Sequence, residues 1–581
     1  MQIVKTLTIS LLIFFAFQCL AADRIDLVID VQPKNLSEPI KQALDLYQHQ
    51  AYVLSSNSHM NTAFQAGYQQ IQQALKVQGY FQARVRGSIH HDETKHVWHI
   101  HYKVTTGRPL LIKNISIMAV GEGQHNAAIQ NVIVNSLLKI GQTLNLNQYD
   151  QVKSTLQTTA IANGYFDANY VQHQIQIKVK SYSAAIDLKL NTGKQYHYGT
   201  IRFDQSTFSN EFLNRFLNFK SGQAYSQEQV DQLQSNLASS GYFDSIAIIP
   251  APAKTTYTVP ITIKLIPKPA QEYQIGAGYG TDTGVRGLLG WKLRYIGKTG
   301  DYITAQIQAA RNYTNVTSSF VIPGANPVTD YSSINVGRSE TTITAYTATD
   351  IIAGLDHFVQ HGPWSTELGI TQHFIQATEP ANPIEPAQRY LLPEATLGYT
   401  QLVTKGYFKQ GYWWSAQAQG GSRSLLSSTS FAQGTLRTLG SINLDSNDRI
   451  FVKAVVGATA VQDISNLSPI FRFYAGGVDT VRGYAYKSLG PEDSNGNLIG
   501  GRYIAAAQFT VERRVWNNWS GLVFYDMGNA FNTLQSINLQ KGAGLGTSWR
   551  SPVGTINLYV AHPIQPVQGS WRFDIGIETL L

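Results

Sequence analysis

Apolar residues recur along this chain with two different periods, and the change from one to the other divides it. In the first half the period is helical. Counting back from Gly79, Gly164 and Gly241, the residues eight before are Ile71, Leu156 and Leu233, and those four before are Leu75, Ala160 and Leu237. That spacing lays an apolar stripe along one helix face. A glycine follows each stripe, where the left-handed turn that ends a helix is free of a Cβ penalty. The triplets Gly79-Tyr80-Phe81, Gly164-Tyr165-Phe166 and Gly241-Tyr242-Phe243 are therefore expected to be helix-to-strand corners, with Tyr-Phe opening the strand. Alternating runs such as AAIDLKLNT and VPITIKLIP come next, and IDLVIDV, LIKNISIMAV and GTIRFD open the three units. The pattern predicts a β-α-α-β-β module written three times. A fourth Gly-Tyr-Phe, at Gly406, has no helical stripe before it and is read as coincidence.

Beyond Pro267 and Pro269 the period becomes two. YITAQIQAA sets Ile303, Ala305, Ile307 and Ala309 on one face. WRFDIGIETLL sets Trp571, Phe573, Ile575, Ile577 and Leu581 against Arg572, Asp574, Gly576 and Glu578. Bulky apolar groups on one face and charges on the other, the reverse of a soluble barrel with its dry interior, predict an antiparallel β-barrel with a wet interior and an apolar exterior. Eight of the nine tryptophans lie beyond residue 270, where interfacial girdles would need them. Residues 270–581 provide for about 16 strands at roughly 20 residues per strand and connection. A soluble β-sandwich would alternate in the same way strand by strand. Gly276, Gly278 and Gly280, and again Gly542, Gly544 and Gly546, strip one strand face of side chains and leave room for another backbone.

Lys5, the apolar stretch to Phe17 and the small residues Ala21 and Ala22 read as a secretory signal peptide. Cys19 is the only cysteine, so a chain cut near Ala22 contains no disulfide and no thiolate ligand. The net charge of +8 is dispersed, which argues against nucleic acid. His90, His91, His96, His99 and His101 cluster without cysteine or an acid at ligand spacing, and are read as surface histidines, with no metal and no cofactor expected. No Gly-x-Ser-x-Gly or Walker pattern is present, and no enzymatic activity is expected.

The three units resemble POTRA modules, and FRFYAGGVDTVRGYAY resembles the sixth extracellular loop of the Omp85 superfamily, whose Val-Arg-Gly-Tyr is matched by Val481, Arg482, Gly483 and Tyr484. LVFYDMGNAF is similar to the same family's Phe-x-Asp-x-Gly strand, with Phe524, Asp526 and Gly528 in place. The stretch from Gly542 through Ser551, Pro552 and Gly554 looks like its closing strands, although the chain ends in Leu581 where Phe is usual. The resemblance implies a signal peptide at 1–22, POTRA units at 23–107, 108–194 and 195–269, and a transmembrane barrel at 270–581. It implies that Asp526, Gly528 and Glu512 on the lumen wall are the loop's partners, with Arg482 contacting Asp526 and Glu512. It also implies a seam between the first strand (Gly276, Gly278, Gly280) and the last (Phe573, Ile575, Ile577).

Three units and this length are similar to the outer-membrane subunit of the translocation and assembly module. That implies insertion of autotransporters and other β-barrel clients into the outer membrane of a Gram-negative bacterium. A TamB-like partner anchored in the inner membrane would meet the first unit. The alternatives are a two-partner secretion pore, a component of phospholipid transport, and a plain porin.

Overall fold

In a computed structural model the described residues are 23–380, 386–551, 554–565 and 570–578. Residues 1–22, expected to be a signal peptide, and Pro552 and Leu581 lie outside them. Each module builds a three-stranded sheet in which its last strand is central, and in the first two modules that strand is parallel to the first and antiparallel to the second. The strands are Arg24–Val31, Arg84–Asp92 and Val97–Thr105, then Leu111–Val120, Asn169–Lys178 and Ser183–Asn191, then His197–Asp204, Phe243–Pro250 and Thr258–Pro267. The helical stripes lie on helices Asn57–Val77, Leu146–Ala162 and Gln227–Ser239, and the six stripe residues are all buried. The expected order β-α-α-β-β is found in the second and third modules, where two helices make the crossover that a parallel pair needs; in the first, four helices (Ser37–Gln42, Asp45–Gln48, Gln50–Val53 and Asn57–Val77) do so.

The glycines take the expected left-handed turn, with φ of 88° at Gly79, 87° at Gly164 and 77° at Gly241. Tyr80 N–H donates to Leu75 and Tyr165 N–H to Ala160, the long-range bond that closes a helix end. The strand does not open at Tyr-Phe in the first two modules, as the sequence pattern suggested. It opens three residues after the phenylalanine, at Arg84 and Asn169, and only the third module starts at Phe243 itself. The reason is that the corner is also a joint. The carbonyl of Gly79 accepts from Leu110 N–H at 2.9 Å, and that of Gly164 from Tyr196 N–H at 2.9 Å. Phe81 packs against the core of the second module, and Phe166 meets the rings of Tyr196 and Tyr225 at 5.2 and 5.0 Å.

By compactness the chain forms two units: one holds the first two modules and part of the third, the other holds the barrel together with residues 203–218 and 232–248 of the third. Within the second unit the third corner repeats the joint. Tyr242 O accepts from Lys268 N–H at 2.8 Å, its hydroxyl donates to Gly300 O at 2.5 Å, and Arg294 donates to Gly241 O at 3.1 Å.

The barrel is a single 16-stranded antiparallel sheet, each strand paired with its neighbour in sequence, from Gln271–Gly280 to Arg572–Glu578. Its outward face is apolar: Ile275, Val285, Leu545 and Phe573 are all exposed. Trp364, Trp516 and Trp519 stand exposed at the strand ends near the third module and Trp571 at the far end, which places aromatic groups at both rims. Among the described residues no helix is long and apolar enough to cross a membrane.

Candidate functional site: the inward loop and the seam

Between strands Asp448–Val461 and Tyr503–Trp516 lies the longest connection in the barrel, and this segment folds back against the lumen wall. Asp526 lies on strand Trp519–Phe531, whose residues alternate between inside and outside, so that Leu522, Phe524 and Asp526 all face inward and are buried. Arg482 meets Asp526 with both arms of its guanidinium, Nε to Oδ2 and an Nη to Oδ1, each at 2.7 Å. The Arg482 backbone N–H adds a third bond to the same carboxylate at 2.9 Å. The guanidinium lies 3.7 Å from the centre of the Phe524 ring and 5.0 Å from that of Tyr559. Both charges are shut off from solvent, with side-chain exposures of 4% and 0%. A planar fork matches a carboxylate as a point charge cannot, and a desolvated pair held by three bonds and an aromatic face is a fixed anchor.

Glycines let the loop come this close. A Cβ on Gly542 would collide with the carbonyl oxygen of Arg482, so the bare face read from the sequence is where the loop backbone lies. Gly483 adopts φ of 99° beside His562 and Pro563, and Tyr484 donates to Lys541 O at 3.2 Å. Val481 is fully buried.

Two expected contacts are placed differently. Glu512 does not reach Arg482; its carboxylate accepts from Arg449 at 2.8 and 2.5 Å, and Arg482 takes the hydroxyl of Thr510 at 3.0 Å instead. Thr510 and Glu512 share the lumen face but are separated by about 6.6 Å of strand, and Arg449 stands opposite Glu512 in the register. Gly528 makes room for Ala506 on the neighbouring strand and not for the loop.

A second anchor was missed. Arg472, one residue into the loop motif's own segment, donates to Glu379 Oε2 at 3.1 Å with the other carboxylate oxygen 2.9 Å from its second Nη, and donates also to the carbonyls of Leu467, Ser465 and Ile499. Around it Tyr346, Ile375, Tyr390, Phe431, Leu467 and Tyr474 form an apolar core at the far end of the barrel. The arginine was visible in the quoted motif. Its partner, 93 residues away at the end of another strand, had no local signal.

At the seam, no ladder joins the first and last strands among the described residues. Gly276, Gly278 and Gly280 turn inward, where Leu288, Arg286 and Thr283 lie over them, while Phe573 points out and Ile575 N–H bonds the hydroxyl of Thr281 at 2.9 Å. Ile577 pairs with Ile556 on the other side of the last strand. In the histidine cluster, His91 and His96 each stand 3.1 Å from Asp23, and His99 stands 3.0 Å from Asp26. No group of three or more ligating side chains is gathered among the described residues.

This architecture is that of a POTRA-bearing outer-membrane barrel, and comparison with known proteins agrees. Residues 296–579 match the Omp85 superfamily domain, residues 196–268 match POTRA (surface antigen variable number repeat), and residues 26–106 match the POTRA domain described as TamA domain 1. Its barrel region is an Omp85 superfamily domain, with POTRA domains ahead of it. It is 33% identical over 124 residues to outer membrane protein assembly factor BamA of Nitratidesulfovibrio vulgaris, covering 19% of this chain and 15% of that protein. It is 22% identical over 396 residues to outer envelope protein 80, chloroplastic, of Oryza sativa subsp. japonica, covering 63% and 57%. The matches thus span less than two thirds of either relative. Among solved structures, BamA from Haemophilus ducreyi lacking POTRA domains 1–3 shares the fold, with a TM-score of 0.68 at 18% identity over 80% of this chain and 99% of that one.

Proposed function

We propose that this protein is a TamA-like outer-membrane insertase, which assembles autotransporters and other β-barrel clients through the seam between its first and last strands. The observation that carries the reading is the seam itself. Among the described residues the first and last strands face each other without a ladder, so their facing edges present backbone donors and acceptors that no partner strand pairs there. An incoming client strand satisfies those groups by β-augmentation, and its outward side chains are then already on the apolar side. No chemical step is needed, since folding and burial of the client drive insertion. The match of the first module to the TamA-type POTRA domain supports this branch of the superfamily over the others, and with it a TamB-like partner at that module. The barrel lies in the outer membrane of a Gram-negative cell with the modules in the periplasm.

The test is assembly of one autotransporter, followed by protease accessibility, in envelopes depleted of this protein. Wild type is added back, or a Thr281→Cys/Ile575→Cys chain cross-linked at the seam. Rescue by wild type and by the reduced double variant, but not by the cross-linked one, is expected. Normal assembly in the depleted envelopes, or full rescue by the cross-linked chain, overturns the reading in favour of secretion or lipid transport.

A further inference from the structure

Asp282 lies in the turn after the first barrel strand and is not part of any motif found in the sequence. Its side chain is 7% exposed. One carboxylate oxygen bonds Arg572, the first residue of the last strand, across the seam. The other accepts the backbone N–H of Val478 in the inward loop at 3.4 Å. Gly477 permits this, because a Cβ there would stand 2.9 Å from the same oxygen. On its other side the peptide of Val478 is gripped through its carbonyl by Gln508 at 2.9 Å, and Gln508 lies 3.4 Å from Asp526, the partner of Arg482. Arg572 in turn bonds Asp574 at 2.7 Å on the inward face of the last strand. A continuous polar path therefore runs from the Arg482 anchor through Gln508, Val478 and Asp282 to the seam.

We propose that Asp282 is a positioning residue that couples the inward loop to the seam, so that loop docking and closure of the far end of the seam are one equilibrium. The inference rests on the insertase reading for its biological use, though not for its physics. Asp282 has one carboxylate and two clients on separate elements. When the loop is docked, the Val478 N–H holds the carboxylate in the position that Arg572 needs. If the loop withdraws, one of the two bonds that fix Asp282 is lost, and Arg572, 24% exposed, is held on the last strand by Asp574 with a looser hold across the seam. The other described polar bond across the seam, from Ile575 N–H to Thr281, sits beside it at the same end. The first strand from Gln271 toward Ala277 has no described bond to the last strand at all. Both described polar bonds across the seam thus lie at the far end, away from the third module.

Coupling of this kind is reciprocal: whatever loosens one end must loosen the other by the same factor. The experiment uses the full chain with Cys19→Ser in isolated outer membranes. A cysteine at Asp479, an exposed loop position, reports the loop through its maleimide labelling rate. In a separate chain, a Thr281→Cys/Ile575→Cys pair reports the seam through its cross-linking yield with a short bifunctional thiol reagent. Arg572→Gln, which touches no loop atom, is expected to speed loop labelling by about fivefold or more, the lower end of measured site-to-site couplings. Gln508→Ala, which touches no seam atom, is expected to lower the seam cross-link by a similar factor. Asp282→Asn, which keeps an acceptor for Val478 while losing the charge, is expected to fall between wild type and Asp282→Ala in both readouts. Retained heat-modifiable gel mobility shows that each barrel is folded.

If Arg572→Gln leaves the loop rate unchanged and Gln508→Ala leaves the seam yield unchanged, the two ends are independent and the proposal is wrong. If both readouts move together but autotransporter assembly is normal in every variant, the coupling stands and the insertase reading falls.

Discussion

The joints between modules and the contacts around the barrel seam fasten the same chain with opposite materials. At each joint a backbone carbonyl of the Gly-Tyr-Phe corner receives an N–H from the segment that follows, and in the first two an aromatic ring crosses into the next module. Around the seam and loop the fastening is by charged side chains: Arg482 with Asp526, Arg472 with Glu379, Arg572 with Asp282. A backbone bond in a buried corner has no alternative partner nearby, so the joint keeps its geometry. Of the three guanidiniums, Arg472 and Arg482 are buried anchors, whereas Arg572 is 24% exposed and can exchange a carboxylate for water. The difference teaches where this molecule is built to stay and where it is built to rearrange.

The contrast can be tested from its strongest element downward. Asp526→Ala leaves Arg482 buried without its counter-charge, and loop docking should weaken by about 3–5 kcal/mol. The expected readout is rapid protease cleavage of the loop in a barrel that still shows heat-modifiable mobility. Arg482→Lys keeps the charge but loses the fork and the flat stacking face, so a smaller loss of about 1–3 kcal/mol is expected in the same assay.

Among the joints, Gly79→Ala meets both a left-handed backbone and the carbonyl of Leu144. It should cost about 2–4 kcal/mol. Gly241→Ala has open space around its Cβ, so it should cost about 1–2 kcal/mol for the backbone alone. Hydrogen exchange in the full chain, at the amides of Leu110 for the first and Lys268 for the second, separates the two; equal effects would remove the idea that the corner is a close-packed joint.

The smallest effect concerns the hairpin turn of the first module. Asp92 is held down to a pKa of about 2 by the Thr94 hydroxyl, and then by the backbone and side chain of Lys95. A depressed carboxylate contributes stability above its unfolded pKa of about 3.9 and loses it as pH falls through the folded value. Protection of the Thr94 and Lys95 amides is therefore expected to hold at neutral pH and to disappear between about pH 4 and about pH 2. Asp92→Asn should abolish that transition.

Much of the fold was legible because it depends on period. A helical stripe ending in glycine and a two-residue alternation without charge on one face are local statements, and they specified three modules and a barrel of about 16 strands. Val481 to Tyr484 and Asp526 were legible as motif residues. Their contact came only from the family resemblance, because residues 44 apart in sequence have no local reason to meet.

What the sequence by itself determined is which side of each strand and helix is apolar, where each helix must stop, and which residues could carry a buried charge. The tertiary structure alone decided which charges pair. Strand register sent Glu512 to Arg449 and Thr510 to Arg482, the closing of the sheet brought Asp282 to Arg572, and the path of the long loop brought Arg472 to Glu379. It also decided that the repeated corner is a joint, since Phe81 and Phe166 bury their rings in neighbours that the local pattern does not mention. The physical reason is range: periodicity is set by bonds within a few residues, whereas a salt bridge forms wherever folding leaves two charges a few ångströms apart and out of water.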